Sequence, residues 1–182
     1  AKMKEIMELS KKNNIKIIED CAQAHGTKYR NRYVGTFGDI AAFSFFPAKN
    51  IGAYGDGGAI VTNNKSFAEK CSQIRNHGSL NKYDHNLIGR NSRMDSIQAG
   101  VLRIKMKNFL NKIKKKNILA EIYYKELIHI QEIDLPFKKK GAFHSYHQFV
   151  IRLDNRDKLR KHLKKNKIDT MVHYPYMLND LK

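Results

Sequence analysis

The sequence predicts an α/β fold, and three features of the chain support that prediction. The chain begins in a helical pattern that leads directly into a short apolar strand with an acidic end. Two more apolar strands follow, one on each side of a glycine-rich loop. Because helices and strands alternate in this way when helices cover a sheet, we expect an α/β layer whose first strand is missing from this sequence.

Met3, Ile6 and Met7 share one helical face at the start of the chain. This spacing predicts an amphipathic helix that ends at the Asn13-Asn14 pair. The apolar runs that follow are typical of buried strands. The segments predicted in this half are a helix at 2–13, a strand at 16–20, a polar hairpin or loop at 28–38, strands at 40–46 and 59–62, and a helix at 64–76.

A polar loop at 77–93 leads to a long helical stretch from Asp95 to about Leu127. Its apolar stripe consists of Met106, Phe109, Leu110 and Ile113. The lysines between 105 and 116 surround that stripe and are typical of a solvated helix face. From Glu132 onward the sequence pattern changes from a long helical stretch to short predicted strands and one helix. We therefore place a domain change inside the long helix, near residue 110. The segments predicted beyond it are strands at 133–135, 146–151 and 170–174 and a helix at 157–166.

The net charge of +18, from 35 Lys and Arg against 17 Asp and Glu, is the most unusual property of this 182-residue chain. Such a charge is typical of proteins that bind nucleic acid or anionic surfaces. However, 26 of the basic residues are lysines and only 9 are arginines, whereas specific phosphate and base contacts favour arginine. Since no nucleic-acid-binding motif accompanies the charge, a nucleic-acid-binding module is the alternative hypothesis and not the leading one.

Composition limits the remaining classes of protein. Hydrophobic residues make up 41% of the chain, which is enough for a globular core. No apolar run approaches the roughly 18 residues that a membrane span needs, and the charged N-terminus does not resemble a secretory signal. Cys21 and Cys71 form no disulfide framework, so we expect a reducing compartment and a cytoplasmic protein. Ala1 is not an initiator residue, and we expect the chain to be a fragment.

The loop from Ser44 to Gly58 is the most informative stretch. Lys49 lies there between an apolar strand and a turn that contains four of the chain's eleven glycines. Glycines let a backbone approach a ligand closely, and the flanking strands can hold Lys49 still. A partly desolvated lysine in such a place can act as an amine nucleophile, and the alternative is an ordinary surface lysine. No phosphate-binding G-x-x-x-x-G-K-[ST] or G-x-G-x-x-G motif occurs.

Two other segments combine polar residues with predicted element ends. Asp20 ends an apolar strand, where α/β proteins commonly bind ligands, although Asp20 and Gln23 also have the D-x-x-Q form of a helix capping box. Gly89–Met94 contains two arginines in a chain that is poor in arginine, which favours an anion contact. The alternative for that segment is again a helix cap, from Ser92 or Asp95.

Together and in this order, these segments resemble the DegT/DnrJ/EryC1/StrS family of pyridoxal-phosphate-dependent nucleotide-sugar aminotransferases. The motif that runs from the lysine to a double glycine is highly specific. The resemblance covers essentially the whole chain, which is similar to about the second half of a family member. The matching segments are Ile17–Gly26, Phe43–Ala59, Arg75–Gly78, Gly89–Met94 with Gln98-Ala99, Tyr146–Arg152 and Val172–Pro175.

The resemblance implies the type I fold of pyridoxal-phosphate-dependent transferases, which is similar to that of aspartate aminotransferase. Residues 1–110 would then be the C-terminal part of the cofactor-binding large domain, with a mixed sheet. Residues 111–182 would be an incomplete, small α+β C-terminal domain.

The resemblance also implies roles for single residues. Lys49 matches the catalytic lysine that binds pyridoxal 5'-phosphate covalently and then moves protons as base and acid. Asp20 matches the acid beneath the pyridine nitrogen, and Gln23 matches a residue near the ring and its hydroxyl oxygen. Ser44 matches a phosphate-contacting hydroxyl, and Asn91 matches a residue that reaches the partner's phosphate in a homodimer with shared active sites. The expected substrate contacts, with weaker matches, are Arg93, His147 and Tyr174.

The implied function is transfer of an amino group from glutamate to a keto-sugar attached to a nucleotide, in amino-sugar biosynthesis for a surface polysaccharide or another glycan. Some relatives carry histidine in place of Lys49 and act as keto-sugar dehydratases, so the lysine favours transamination. Because the family's upstream half supplies further strands and cofactor contacts, we expect this chain to be inactive alone. No metal is expected, since His144 and His147 lie three apart in a strand-like stretch and face opposite ways.

Overall fold

The computed structural model describes residues 1–181, which divide into two compact units. Unit 1 comprises Ala1–Asn117 and Lys139–His147, and unit 2 comprises Ile118–Lys138 and the residues from Gln148 onward. In chain order the elements are helix α1 (Met3–Asn13), strands β1 (Ile18–Asp20), β2 (Lys28–Tyr29), β3 (Arg32–Tyr33), β4 (Ile40–Ser44) and β5 (Gly58–Val61), helices α2 (Lys65–Ile74), α3 (Ser96–Met106) and α4 (Phe109–Leu127), strand β6 (Ala142–Phe143), helix α5 (Arg156–Lys165) and a 3-10 helix (Leu178–Asp180).

Unit 1 contains a mixed three-stranded sheet in the order β1-β4-β5. Strand β1 runs parallel to β4, with Asp20 opposite Ala42, and β4 runs antiparallel to β5, with Ser44 opposite Gly58. The residues between β1 and β4 include the predicted hairpin. The mixed sheet and the α/β architecture confirm the predicted fold class.

The hairpin belongs to a second, antiparallel sheet in the order β3-β2-β6. Its turn consists of Arg30 and Asn31, which have positive φ angles of 49° and 63°. Two-residue hairpin turns favour this left-handed backbone because its twist matches that of the strands. Strand β6 pairs with β2 through Lys28 opposite Phe143, so the chain returns to unit 1 after leaving it within α4.

The hydrophobic core of unit 1 lies where the glycine-rich loop meets helices α3 and α4. Its buried members are Ile51, Ala53, Leu102, Phe109 and Ile113, and the half-buried Phe45 and Met94 pack against it. The loop that follows Lys49 supplies the first two of these residues, so packing of Ile51 and Ala53 into the core fixes the position of that loop.

The long helix expected from Asp95 to Leu127 is interrupted. It ends at Met106 and begins again at Phe109, with Asn108 between the two parts. The Asn108 carbonyl accepts from the Lys112 N–H, and the Asn108 Oδ1 accepts from the Asn111 side chain. Asparagine makes such local bonds readily, which favours a helix start over continuation. Of the expected stripe, Phe109 and Ile113 are buried, whereas Met106 and Leu110 are 58% and 56% exposed.

The strands expected at 133–135, 146–151 and 170–174 are wrong. The described pairing in this region is one isolated antiparallel bridge, in which Asp134 and Arg152, the residue just after the second segment, exchange backbone hydrogen bonds of 2.8 and 3.0 Å. Apolar alternation predicts a strand only where a neighbour can pair along its length, and here the pairing is limited to one residue on each side. Among the described residues, no helix is both long and apolar enough to span a bilayer.

Candidate active site

The carboxyl ends of β1 and β4 form one edge of the mixed sheet. Because the two strands are parallel, Asp20 at the end of β1 and Ser44 at the end of β4 lie on this edge. The Cys21 N–H donates to the Ala42 carbonyl at 2.8 Å, which extends the pairing just past Asp20. The sequence therefore brings two of its candidate residues to the same edge of the sheet.

Asp20 does not cap a helix, so the capping-box alternative is wrong. No helix follows it, and its Oδ1 instead accepts from the Ala22 N–H at 3.0 Å in a tight turn. The side chain is exposed on the surface of unit 1. Its carboxylate is held by a local bond and has capacity to accept another hydrogen bond.

Glu19, next to Asp20, is a structural residue that the sequence analysis did not single out. Its side chain is buried, and Oε1 accepts from the N–H groups of Phe37 and Gly38 at 2.6 and 2.7 Å. Oε2 accepts from the Gly35 N–H at 2.8 Å. Three such bonds fasten the loop before β4 to β1. Strand alternation was the available signal, since it places Glu19 and Asp20 on opposite faces.

Lys49 lies in a turn that the backbone closes on itself. The Lys49 N–H donates to the Phe46 carbonyl at 2.9 Å, and the Ala53 N–H donates to the Phe45 carbonyl at 2.8 Å. This closure needs a glycine at 52, because a Cβ there would lie 2.3 Å from the Pro47 carbonyl oxygen. Lys49 itself is half-buried. The turn therefore holds the Lys49 backbone in one place.

Two side chains from α3 hold the same loop from outside. The Lys105 Nζ donates to the Gly52 carbonyl at 2.5 Å, and the Gln98 Oε1 accepts from the Tyr54 N–H at 2.8 Å. Gln98 was part of the matched family pattern, and Lys105 was expected to face solvent. The expectation for Lys105 was wrong, since its side chain is half-buried against the loop.

His25 is a buried imidazole beside Lys49. Its ring lies 5.3 Å from the ring of Phe43 and 5.7 Å from that of Phe45, and neither ring nitrogen has a hydrogen-bond partner among the described atoms. Burial is the main cause that lowers its pKa from 6.5 to about 4, with smaller contributions from His147 and Lys49. His25 is therefore neutral at pH 7, and unit 1 brings His147 and Lys49 close enough to act on it.

The residue after Lys49 anchors the loop to α4 and to the segment after β6. The Lys116 Nζ donates to the Asn50 Oδ1 at 2.6 Å, and the Asn50 Nδ2 donates to the Ser145 carbonyl at 3.3 Å. The buried Ser145 hydroxyl accepts from the Thr27 Oγ1 at 2.9 Å. These contacts join the Lys49 turn to the segment that follows Asp20.

Asn91 and Arg93 lie near the end of α2. Asn91 forms an isolated antiparallel bridge with Asn76, and the Arg93 Nη1 donates to the Asn76 Oδ1 at 2.7 Å. Both side chains are exposed, and no described hydrogen bond joins either of them to the Lys49 loop. Of the two residues proposed as caps, Asp95 occupies the N-cap position of α3, without a side-chain capping bond.

The remaining candidates differ in their surroundings. Gln23 is exposed in the turn that follows β1, within unit 1. Tyr174 belongs to unit 2, where its exposed ring packs edge-on against His173 at 5.2 Å. Unit 1 thus contains every candidate cofactor contact and His147, whereas Tyr174 lies in the other unit.

Comparison with known proteins identifies the family. Residues 1–182 match the sequence pattern of the DegT/DnrJ/EryC1/StrS aminotransferase family. The chain belongs to this family. This confirms the resemblance drawn from the motifs around Asp20, Lys49 and Asn91. The aminotransferases of this family use pyridoxal phosphate.

Individual family members support the same conclusion. The chain is 42% identical to dTDP-3-amino-3,4,6-trideoxy-alpha-D-glucose transaminase of Streptomyces venezuelae, over 96% of this chain and 46% of that protein. The S. venezuelae DesV structure, in complex with a ketimine intermediate, is 42% identical with a TM-score of 0.95, and the match covers 98% of this chain and 48% of that one. The ntda structure from Bacillus subtilis, with bound cofactor PMP, is 31% identical with a TM-score of 0.87, over 100% and 42% of the two chains. The chain spans about half the length of these relatives.

Proposed function

We propose that this chain is part of a pyridoxal-phosphate-dependent aminotransferase that moves an amino group from glutamate to a nucleotide-linked keto-sugar. One observation carries the proposal. The Lys49 turn follows directly from β4, at the sheet edge where Asp20 also ends its strand. Membership of the family and the similarity to a dTDP-sugar transaminase support the reaction and the substrate class.

The side chains at this edge fit the chemistry of pyridoxal phosphate. Lys49 supplies a primary amine on a fixed turn, which is the group that binds an aldehyde covalently. Asp20 supplies an exposed carboxylate with capacity for an N–H donor such as a protonated pyridine. The Ser44 Oγ, which accepts weakly from the Phe46 N–H at 3.3 Å, keeps its own proton to donate to a phosphate oxygen.

Bound pyridoxal phosphate supplies an electron sink for the carbanion that forms next to the transferred nitrogen. In the proposed reaction the Lys49 Nζ moves the proton of the amino donor's α-carbon, first as base and then as acid. The Asp20 carboxylate would stabilise a positively charged N–H group at the end of β1, and the Ser44 hydroxyl would orient an anionic group. His25 is neutral near pH 7, so it adds no positive charge beside the Lys49 amine.

The assembly follows from the same proposal. We place residues 1–110 in the large domain and 111–182 in the small domain of the whole enzyme. Asn91 would reach the cofactor phosphate of the partner subunit in a homodimer, and its exposed side chain is compatible with that role. Arg93, His147 and Tyr174 would contact the substrate. The free thiols of Cys21 and Cys71 support a cytoplasmic location.

The test uses the full-length protein that contains this chain. Adding pyridoxal phosphate should produce a visible absorption band from the lysine-bound cofactor, and Lys49→Ala should abolish both the band and amino transfer. Lys65→Ala is the matched control, because the Lys65 side chain is 90% exposed on α2. A band that persists unchanged in Lys49→Ala would overturn the assignment. On a panel of keto-sugar nucleotides, glutamate consumed in equal amount to product would distinguish transamination from dehydration.

A further inference from the structure

Asn50, the residue after Lys49, has both ends of its side-chain amide engaged. Its oxygen accepts from the Lys116 Nζ at 2.6 Å, and its nitrogen donates to the Ser145 carbonyl at 3.3 Å. The side chain is half-buried, so these two contacts replace contacts with water. An amide that is held at both ends restricts the backbone next to it, and here that backbone carries Lys49.

Lys116 differs from the neighbouring lysines of α4. Lys112, Lys114 and Lys115 are exposed, whereas Lys116 is half-buried, and burial lowers its pKa. Desolvating an ammonium group costs free energy, which a bond to a neutral amide offsets only in part. An apolar side chain would fill the same position at lower cost. Lys116 is therefore explained better by the contact that it makes with Asn50 than by its own contribution to stability.

Ser145, whose carbonyl accepts from the Asn50 side chain, is itself held by further hydrogen bonds. Ser145 is fully buried, and its N–H and Oγ both bond to the Thr27 Oγ1, at 3.3 and 2.9 Å. The side chain of Asn117, next to Lys116 on α4, donates to the carbonyls of His144 and Ile113 at 3.0 Å each. Asn50 is thus tied to a helix on one side and to a segment anchored beside β2 on the other.

We propose that Lys116 and Asn50 are a positioning pair, which holds the turn of Lys49 so that its amine meets the cofactor in one orientation. The inference rests on the proposed role of Lys49 and adds two residues that act through it. Placement errors of about 1 Å at a reacting group can cost on the order of 100-fold in rate. A pair that fixes the adjacent backbone therefore affects the chemistry without touching the substrate.

The first measurement follows the loop itself in the cofactor-free full-length protein. Hydrogen exchange of residues 45–53, measured by mass spectrometry, should be about tenfold faster in Lys116→Met and in Asn50→Leu than in the wild type, since opening of the turn costs less. Lys116→Arg keeps a charged donor and should restore slow exchange. Lys115→Met, an exposed lysine on the same helix, is the matched control and should leave exchange unchanged.

The second measurement is the rate at which the visible band forms after pyridoxal phosphate is added to the same variants. Lys116→Met and Asn50→Leu should each slow it about tenfold, and the double variant should be no slower than Asn50→Leu, because that change already removes the contact with Lys116. If Lys116→Met and Lys115→Met showed equal hydrogen exchange and equal rates of band formation, the proposed positioning role of Lys116 and Asn50 would be wrong. Faster exchange with an unchanged rate would also overturn it, since the loop would then not position Lys49.

Further outcomes separate this inference from the proposed function. If Lys116→Met does not fold, Asn50→Leu tests the pair from the loop side, and a rate within about twofold of the wild type overturns it. A band that persists in Lys49→Ala removes the proposed function and, with it, the role assigned to the pair. Loss of the band in Lys49→Ala together with a normal rate in both single variants leaves the function standing and removes the pair alone.

Discussion

Replacing Glu19 by glutamine isolates the contribution of one buried carboxylate to the site's scaffold. The carboxylate accepts from three backbone N–H groups, those of Phe37, Gly38 and Gly35, at 2.6 to 2.8 Å. Glutamine keeps an oxygen for two of them but turns an NH₂ group toward the third. Hydrogen bonds to a charged group contribute about 1.5–3 kcal/mol each, and a buried N–H without an acceptor costs a similar amount. We therefore expect Glu19→Gln to lower the free energy of unfolding by about 3 kcal/mol.

Urea unfolding of the full-length protein, followed by far-UV circular dichroism, measures this loss as a shift of the midpoint at constant slope. Glu69→Gln is the matched control, because Glu69 is exposed on α2 and its ion pair with Lys65 spans 3.8 Å. Exposed pairs of this kind contribute less than about 1 kcal/mol, so the control should unfold close to the wild type. Equal midpoints for the two glutamine variants would show that Glu19 does not fasten the loop before β4.

Two further perturbations test the loop and the buried imidazole. Gly52→Ala should destabilise the protein by about 3 kcal/mol or more, because the new Cβ would meet the Pro47 carbonyl. Gly100→Ala, in open space on α3, should instead stabilise it by up to about 1 kcal/mol. Thermal unfolding should therefore show a lower midpoint for the first variant and a higher midpoint for the second. The free energy of unfolding should be highest above pH 6.5, where His25 is neutral in both states. It should fall as the pH falls from 6.5 toward about 4, because in that window the unfolded state binds a proton at this imidazole and the folded state does not. The loss amounts to at most about 3 kcal/mol, and pH-dependent urea midpoints of His25→Leu should vary less across the window than those of the wild type.

Local signals predicted much of the fold. The helices α1, α2 and α5 begin and end within about two residues of their expected positions, since each has a 3.6-residue apolar period and polar ends. The hairpin at 28–38 follows from its polar sequence, and Asn31 accepts the left-handed backbone of the turn. The order of strand, glycine-rich loop and strand placed the Lys49 turn correctly beside β4. These features depend on neighbours in sequence, which is why they could be predicted.

Features that depend on distant partners could not be predicted in the same way. The stretch at 146–151 contains the apolar run Phe149 to Ile151, but the described bridge nearby joins Asp134 to Arg152, just beyond the stretch, so it forms no strand. The break at Asn108 was hidden because the apolar stripe continues across it in sequence. Strand β5 was expected to be buried, yet Ile60 and Val61 are 55% and 41% exposed. Burial of a strand depends on what covers it, and the sequence of the strand does not contain that information.

The lysines are the strongest example of this limit. The helical pattern assigned the lysines from 105 to 116 to one solvated face, and by count they are equivalent contributors to the net charge of +18. In the structure Lys105 bonds to the Gly52 carbonyl and Lys116 to the Asn50 side chain, so two of them hold the loop that carries Lys49. Their neighbours on α4 stay in water. A net charge counts ammonium groups without regard to burial, whereas desolvation makes each buried one costly unless it has a partner. The lysines that matter for Lys49 are therefore those that the fold removes from water, and only the packing of α3 and α4 against the loop distinguishes them.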